Sequence, residues 1–148
     1  MVLIEKEGIF LDIDQEDKYT LINFLANGML NANKISNLEE YVESVLERER
    51  LVSTSVGNAV AIPHGKSKAV LKPTVYFART NKLVRWGEGE EDLVDLIFML
   101  AVPDDDKSND HLRILAQLSR KLVDENFRNT LRAIENVEVA QSLFDEIL

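Results

Sequence analysis

Apolar residues recur along this chain with two different periods, and the switches between them predict its elements. Ile9, Leu11 and Ile13 alternate with their neighbours over residues 8–13, which predicts a short strand. Asp14 or Asp17 can then cap a helix whose apolar face is Tyr19, Leu21, Ile22, Leu25 and Ala26, with an end near Gly28. Ser36, followed three residues later by Glu39, has the pattern of a capping box. It predicts a second helix carrying Leu38, Tyr41, Val42, Val45 and Leu46 and running out at Arg48 to Arg50. Residues 57–62, 74–80 and 83–86 predict three strands, separated by Pro73 and by a turn at Asn81-Lys82. Residues 94–102 are almost continuously apolar, the signature of a central strand covered on both faces.

Pro103 and the acidic run Asp104, Asp105 and Asp106 stop that strand. Helical spacing returns in Leu112, Leu115, Leu118 and Leu122, then in Phe127, Leu131 and Ile134. After a break at Asn136 it resumes in Val137, Ala140, Leu143, Phe144 and Ile147. Helices, then strands, then helices, with no repeat or low-complexity linker, predict an α/β fold: a single mixed β-sheet of about five strands flanked by helices on its faces. At 148 residues, one domain over residues 1–148 is expected.

Composition narrows the function. With 45% hydrophobic and 29% charged residues the chain has an ordinary soluble balance. It has no cysteine, which excludes disulfides, thiolate metal sites and covalent chemistry on sulfur. A net charge of -9 disfavours nonspecific nucleic-acid binding and favours a basic protein partner. Val2, Leu3 and Ile4 are followed at once by Glu5, Lys6 and Glu7, without the basic start and long apolar stretch of a secretory signal. No apolar run reaches the roughly 20 residues of a membrane span. A cytoplasmic protein with no direct membrane insertion is therefore expected.

The two histidines stand out. His64 follows an apolar run in Ala61-Ile62-Pro63-His64-Gly65-Lys66, where a rigid proline and a permissive glycine expose one imidazole in a turn at a strand end. A neutral imidazole attacks phosphorus well when its other nitrogen holds the proton in a fixed hydrogen bond. A backbone carbonyl or one of Ser53, Thr54, Ser55 and Ser67 could accept that bond, or His64 could be an ordinary polar turn residue. His111, in Ser108-Asn109-Asp110-His111-Leu112, sits at a helix start, where free N–H groups attract anions and disfavour the imidazolium. A solvent-facing first-turn residue is its plain alternative. Arg48 can clamp phosphoryl oxygens through two nitrogens or simply complement the end of its helix. Lys66 and Lys68 can solvate a loop. Two histidines without close ligand spacing and without cysteine do not make a structural zinc site, and neither a Walker loop, a Gly-x-Gly-x-x-Gly run nor a Gly-x-Ser-x-Gly elbow is present.

Residues 57–66, then Lys72-Pro73, then residues 94–103, then His111-Leu112-Arg113-Ile114-Leu115-Ala116-Gln117-Leu118 together resemble the type-2 enzyme IIA domain of the bacterial phosphoenolpyruvate-dependent sugar phosphotransferase system. The fructose and mannitol branch is the nearest match, strongest from about Leu46 to Leu122. The resemblance implies a mixed sheet of about five strands flanked by helices. It implies that His64 receives a phosphoryl group from the small carrier HPr and passes it to a cysteine of an enzyme IIB. It also implies that His111 supports the phosphoryl group without being phosphorylated and that Arg48 contacts it. No cofactor or metal is needed in principle, because such transfer asks for in-line positioning and charge neutralisation. Lacking cysteine and membrane spans, the chain itself can hold neither the enzyme IIB acceptor nor the permease. Ile62 and Pro63 are expected in the surface that docks both partners.

Two departures bear on specificity. Fructose-type members commonly carry an acidic residue before Trp-Gly and an Asp-Gly turn before the buried strand, where this chain has Arg85-Trp86-Gly87 and then Glu88-Gly89-Glu90-Glu91-Asp92. Asp110 stands where a glutamate is frequent. The main rival is a regulatory enzyme IIA of the nitrogen-related type, which acts on other proteins through its phosphorylation state. An interaction domain without phosphoryl chemistry is a third reading.

Overall fold

The computed structural model describes residues 4–89, 92–105 and 110–148, with the side chain of Asp110 left aside. After a single 3-10 turn at Lys6–Gly8, the order is β1 (Ile9–Ile13), α1 (Lys18–Asn31), α2 (Leu38–Leu51), β2 (Ser55–Gly57), β3 (Val60–Ala61), β4 (His64–Ser67), β5 (Thr74–Arg85), β6 (Leu93–Pro103), α3 (Asp110–Leu122), α4 (Glu125–Ala133) and α5 (Val137–Ile147). The strands form one mixed sheet in the order β1-β5-β6-β3-β2, with β4 also on β6. Strand β6 is central: antiparallel to β5 on one side, parallel to β3 and β4 on the other.

β3 and β4 are two halves of one line. Val60 faces Leu96 and Ala61 faces Ile97, and in unbroken register His64 faces Leu100 and Gly65 faces Ala101. The nick falls at Ile62-Pro63, where proline has no N–H to give the ladder. Among the described residues, six strand segments thus occupy five positions, in agreement with the expected sheet of about five strands.

Alternation along the central strands builds a three-layer core. Tyr76, Ala78, Ile97, Met99 and Ala101 point to the side covered by α1 and α2, where Leu21, Leu25, Tyr41 and Val45 are buried. Val75, Phe77, Leu96, Phe98 and Leu100 point to the side covered by α3, α4 and α5, with Ile114, Leu118, Leu131 and Phe144. Phe77, Phe98 and Phe144 meet there with ring centroids 4.8 to 5.7 Å apart.

Several boundaries differ from the sequence expectation. Asp17, of the two candidates, caps α1, accepting from the N–H groups of Tyr19 and Thr20. The helix does not end at Gly28. Asn33, at φ 60°, takes the left-handed position, and Lys34 N donates to Met29 O while Asn33 N donates to Leu30 O. Gly28 instead lies under Tyr76, whose hydroxyl donates to its carbonyl at 3.3 Å. The cap of α2 is Asn37 and not Ser36: Asn37 Oδ1 accepts from Glu40 N, while Ser36 Oγ donates to Ala69 O. Residues 74–85 form one strand and Asn81-Lys82 makes no turn; the ladder with β6 absorbs an irregularity between Arg79 and Val84. Residues 57–62 are a hairpin turn and a strand rather than one strand, because Gly57, Asn58 and Ala59 all have positive φ, at 86°, 58° and 62°.

Candidate functional site

His64 is a strand residue and not a turn residue: it opens β4 beside Leu100 of the central strand. Val60, Ile62 and His64 fall on alternate positions, so the imidazole is on the face of α3, as Val60 and Ile62 are. Gly65 faces the other way, and a Cβ there would overlap the Ser44 hydroxyl and Val45 of α2. The Pro-His-Gly triplet therefore works differently from a flexible turn. Pro63 interrupts the ladder, His64 faces the α3 layer, and Gly65 lets the α2 backbone close on the other side of the strand. Behind it, Tyr41 donates from α2 to Leu100 O at 2.8 Å, and Leu100 N donates to Pro63 O at 2.9 Å.

The imidazole is oriented by the main chain. His64 Nδ1 lies 2.9 Å from Ile62 O, and since a carbonyl only accepts, Nδ1 carries the proton and Nε2 keeps its lone pair. Of the orienting partners left open by sequence, the backbone carbonyl is the one used. The His64 pKa lies below the ordinary 6.5, first because the ring is largely buried; the Arg48 and His111 charges lower it further, against the Ile62 carbonyl and Glu49, which raise it. The uncharged ring, with its lone pair at Nε2, is thereby the favoured form at neutral pH.

His111 reaches the same place from α3. It is the second residue of that helix and lines a small crevice with Thr74, Leu100, Ala101 and Val102, at the same end of β6 as the Leu100 partner His64. The capping pattern expected at Ser108-Asn109 lies outside the described residues. Arg48 sits near the end of α2, and its Nη1 donates to Val52 O at 2.8 Å, so the helix-completing role is realised while its charge also bears on His64. The fold thus brings all three expected residues to one end of the sheet. Lys66 and Lys68 are exposed.

One expectation fails. Ile62 and Pro63 are buried and offer no docking patch. Sequence reading also missed a buried polar cluster at Lys18, Glu49, Thr54 and Trp86. Its residues are scattered over nearly 70 positions, and only a lysine and a glutamate on apolar-patterned helices hinted at it.

Fold and site together define a class: an α/β domain presenting one neutral imidazole, with a fixed tautomer, beside a guanidinium and a second imidazole. Residues 2–147 match the family model described as phosphoenolpyruvate-dependent sugar phosphotransferase system, EIIA 2, and the chain belongs to that family of phosphotransfer components. It is 34% identical over 142 residues to the fructose-specific EIIA component of Haloferax volcanii, covering 96% of this chain and 92% of that one. It is 35% identical to a multiphosphoryl transfer protein of Shigella flexneri, of whose length it spans 17% while 97% of this chain is matched. Among solved structures, the nitrogen regulatory protein IIA-Ntr of Neisseria meningitidis superposes with a TM-score of 0.86 at 28% identity, covering 95% of this chain and 94% of that one. An Escherichia coli complex of mannitol enzyme IIA with phosphorylated enzyme IIB matches with a TM-score of 0.82 at 28% identity, covering 97% and 99%.

Proposed function

We propose that this chain, as a single enzyme IIA domain over residues 1–148, accepts a phosphoryl group on His64 from phosphorylated HPr. It then passes that group to a cysteine of an enzyme IIB in the cytoplasm, for uptake of a fructose-type sugar. The observation that carries this reading is the His64 Nδ1 to Ile62 O bond, which leaves a lone pair at Nε2. The lone pair forms the new N–P bond as the donor's P–N bond breaks and its electron pair returns to the donor imidazole. No proton has to leave His64. In the second step a thiolate attacks the phosphorus, and the bonding pair returns to Nε2. His111 and Arg48 neutralise charge on the equatorial oxygens. The complex of a mannitol enzyme IIA with phosphorylated enzyme IIB supports the choice of acceptor, and the fructose-specific relative supports the sugar class.

The test is intact mass after incubation with phosphoenolpyruvate, enzyme I and HPr. One acid-labile phosphoryl group is expected on the wild type and none on His64→Ala, while His111→Ala still accepts but slowly. Normal acceptance by His64→Ala would overturn the assignment. The likeness to a nitrogen regulatory IIA favours a second reading, control of other proteins by phosphorylation. Onward transfer to an enzyme IIB separates the two, since a purely regulatory domain has no such acceptor.

A further inference from the structure

Thr54 lies outside any strand, between the end of α2 and β2, yet it is buried and all its polar groups are engaged. Its N–H donates to Glu49 Oε1 at 3.2 Å and its hydroxyl donates to Glu49 Oε2. The same hydroxyl accepts from Trp86 Nε1 at 3.0 Å. Glu49 is itself enclosed, with its side chain 4% exposed, and is paired at 2.9 Å with Lys18, whose ammonium also donates to Trp86 O at 2.9 Å. Glu49 of α2 and Trp86, the residue following β5, therefore converge on one threonine, and Lys18 of α1 ties the two together. What Thr54 does with that fixity is to accept the Ile62 N–H on its carbonyl at 3.0 Å.

Ile62 is the residue whose own carbonyl holds His64 Nδ1. It lies just past the Ser55 to Ala61 pairing of β2 and β3, and the next residue, Pro63, has no N–H to anchor it. The direction of the Ile62 carbonyl is thus set by Thr54 on one side and by the Pro63 O to Leu100 N bond on the other.

We propose that Thr54, clamped by the buried Glu49 carboxylate and the Trp86 indole N–H, is a positioning residue for His64: it anchors the Ala61–Ile62 peptide, limits how the adjoining Ile62 carbonyl can turn, and through it favours the Nδ1–H tautomer. Neither Thr54 nor Glu49 touches the transferred group in this account. The kinetic consequence rests on His64 being the phosphoryl acceptor; the tautomer does not.

The test compares Thr54→Val, which keeps shape but loses the hydroxyl, with Thr54→Ser, which keeps the hydroxyl. The readouts are the 15N chemical shifts of the His64 ring, which report the tautomer, and the rate of phosphoryl acceptance. In folded Thr54→Val the ratio of Nδ1–H to Nε2–H forms is expected to fall by about tenfold, the size of one lost hydrogen bond, with a similar fall in rate. Thr54→Ser is expected within about twofold of wild type. A folded Thr54→Val with the wild-type tautomer ratio overturns the proposal. Should that variant not fold, Trp86→Phe removes only the indole donor while keeping a ring in place. It is expected to shift the ratio in the same direction, and an unchanged ratio there overturns the proposal equally. If the wild type takes no phosphoryl group at all, the transfer function fails while the tautomer measurement still decides the role of Thr54.

Discussion

Arg132 of α4 grips Asp95 of β6 through two nitrogens, at 2.9 and 3.1 Å, and the same guanidinium donates to the carbonyl of Asn58 at 3.1 Å. Asp95 N and Leu96 N both donate to Ala59 O, at 3.0 and 3.2 Å. The left-handed turn ahead of β3 is therefore pinned from two elements, five residues before the histidine.

Replacing Arg132 by alanine removes that grip. The pair is only partly enclosed, so a loss of about 1 kcal/mol is expected, measured by urea unfolding. Faster amide exchange at Val60 and Ala61 is expected in the same variant. A protein with unaltered exchange there would show that β6 holds the turn without help.

Ala59 is held at φ 62°, where an L side chain crowds the following carbonyl at a cost of about 1–2 kcal/mol. Glycine avoids that crowding but has a more disordered unfolded state. Ala59→Gly is expected to stabilise the fold by about 0.5–1 kcal/mol, read as a raised urea midpoint.

Gly65→Ala is expected to do the opposite. The new methyl meets the Ser44 hydroxyl and Val45 of α2, and overpacking of this kind costs about 1–3 kcal/mol. Because α2 also carries Arg48 near the imidazole, phosphoryl acceptance should slow as well. Trimming the obstacle with Ser44→Gly in the same chain should recover part of the stability but not all, since Val45 stays in place.

The His64 pKa is lowered, chiefly by burial, from an ordinary 6.5. The unfolded chain therefore takes up this proton first. The stability contribution is complete above pH 6.5 and is lost as the pH falls through the folded value. Phosphoryl acceptance should hold across neutral pH and fall in the same acid range, where the ring loses its lone pair. An NMR titration of the imidazole checks this directly. Arg48→Ala should move the His64 midpoint upward by removing a nearby cation, and a midpoint unchanged in that variant would separate Arg48 from the site electrostatically.

Local pattern by itself determined much of this protein. The run at residues 94–102 reads as a strand covered on both faces, since a polar surface would have shown as alternation. Asp17, one of two candidates, caps α1 with its own side chain and Asn136 marks the break before α5, short-range chemistry written in a few consecutive residues, whereas Ser36 gave way to Asn37 at α2. The order of elements gave the sheet with helices on both faces, and His64, His111 and Arg48 stood out as candidates that the fold then brings to one end of that sheet. What sequence could not decide was anything set by a distant neighbour. Asn81-Lys82 reads as a turn, yet pairing with β6 carries the strand through it, because a ladder on a central strand outweighs a weak local preference. Ile62 and Pro63 read as surface beside an active residue, yet they are buried, because strand alternation turns Ile62 into the α3 layer. The partner of His64 was open among a carbonyl and several hydroxyls until the nick at Pro63 placed the Ile62 carbonyl within reach. Thr54 read only as one of several hydroxyls within possible reach of His64, and Glu49 as part of a charged helix end. Only folding brought Lys18 and Trp86 onto them and closed a buried polar cluster, whose members need one another because none could be left there unpartnered.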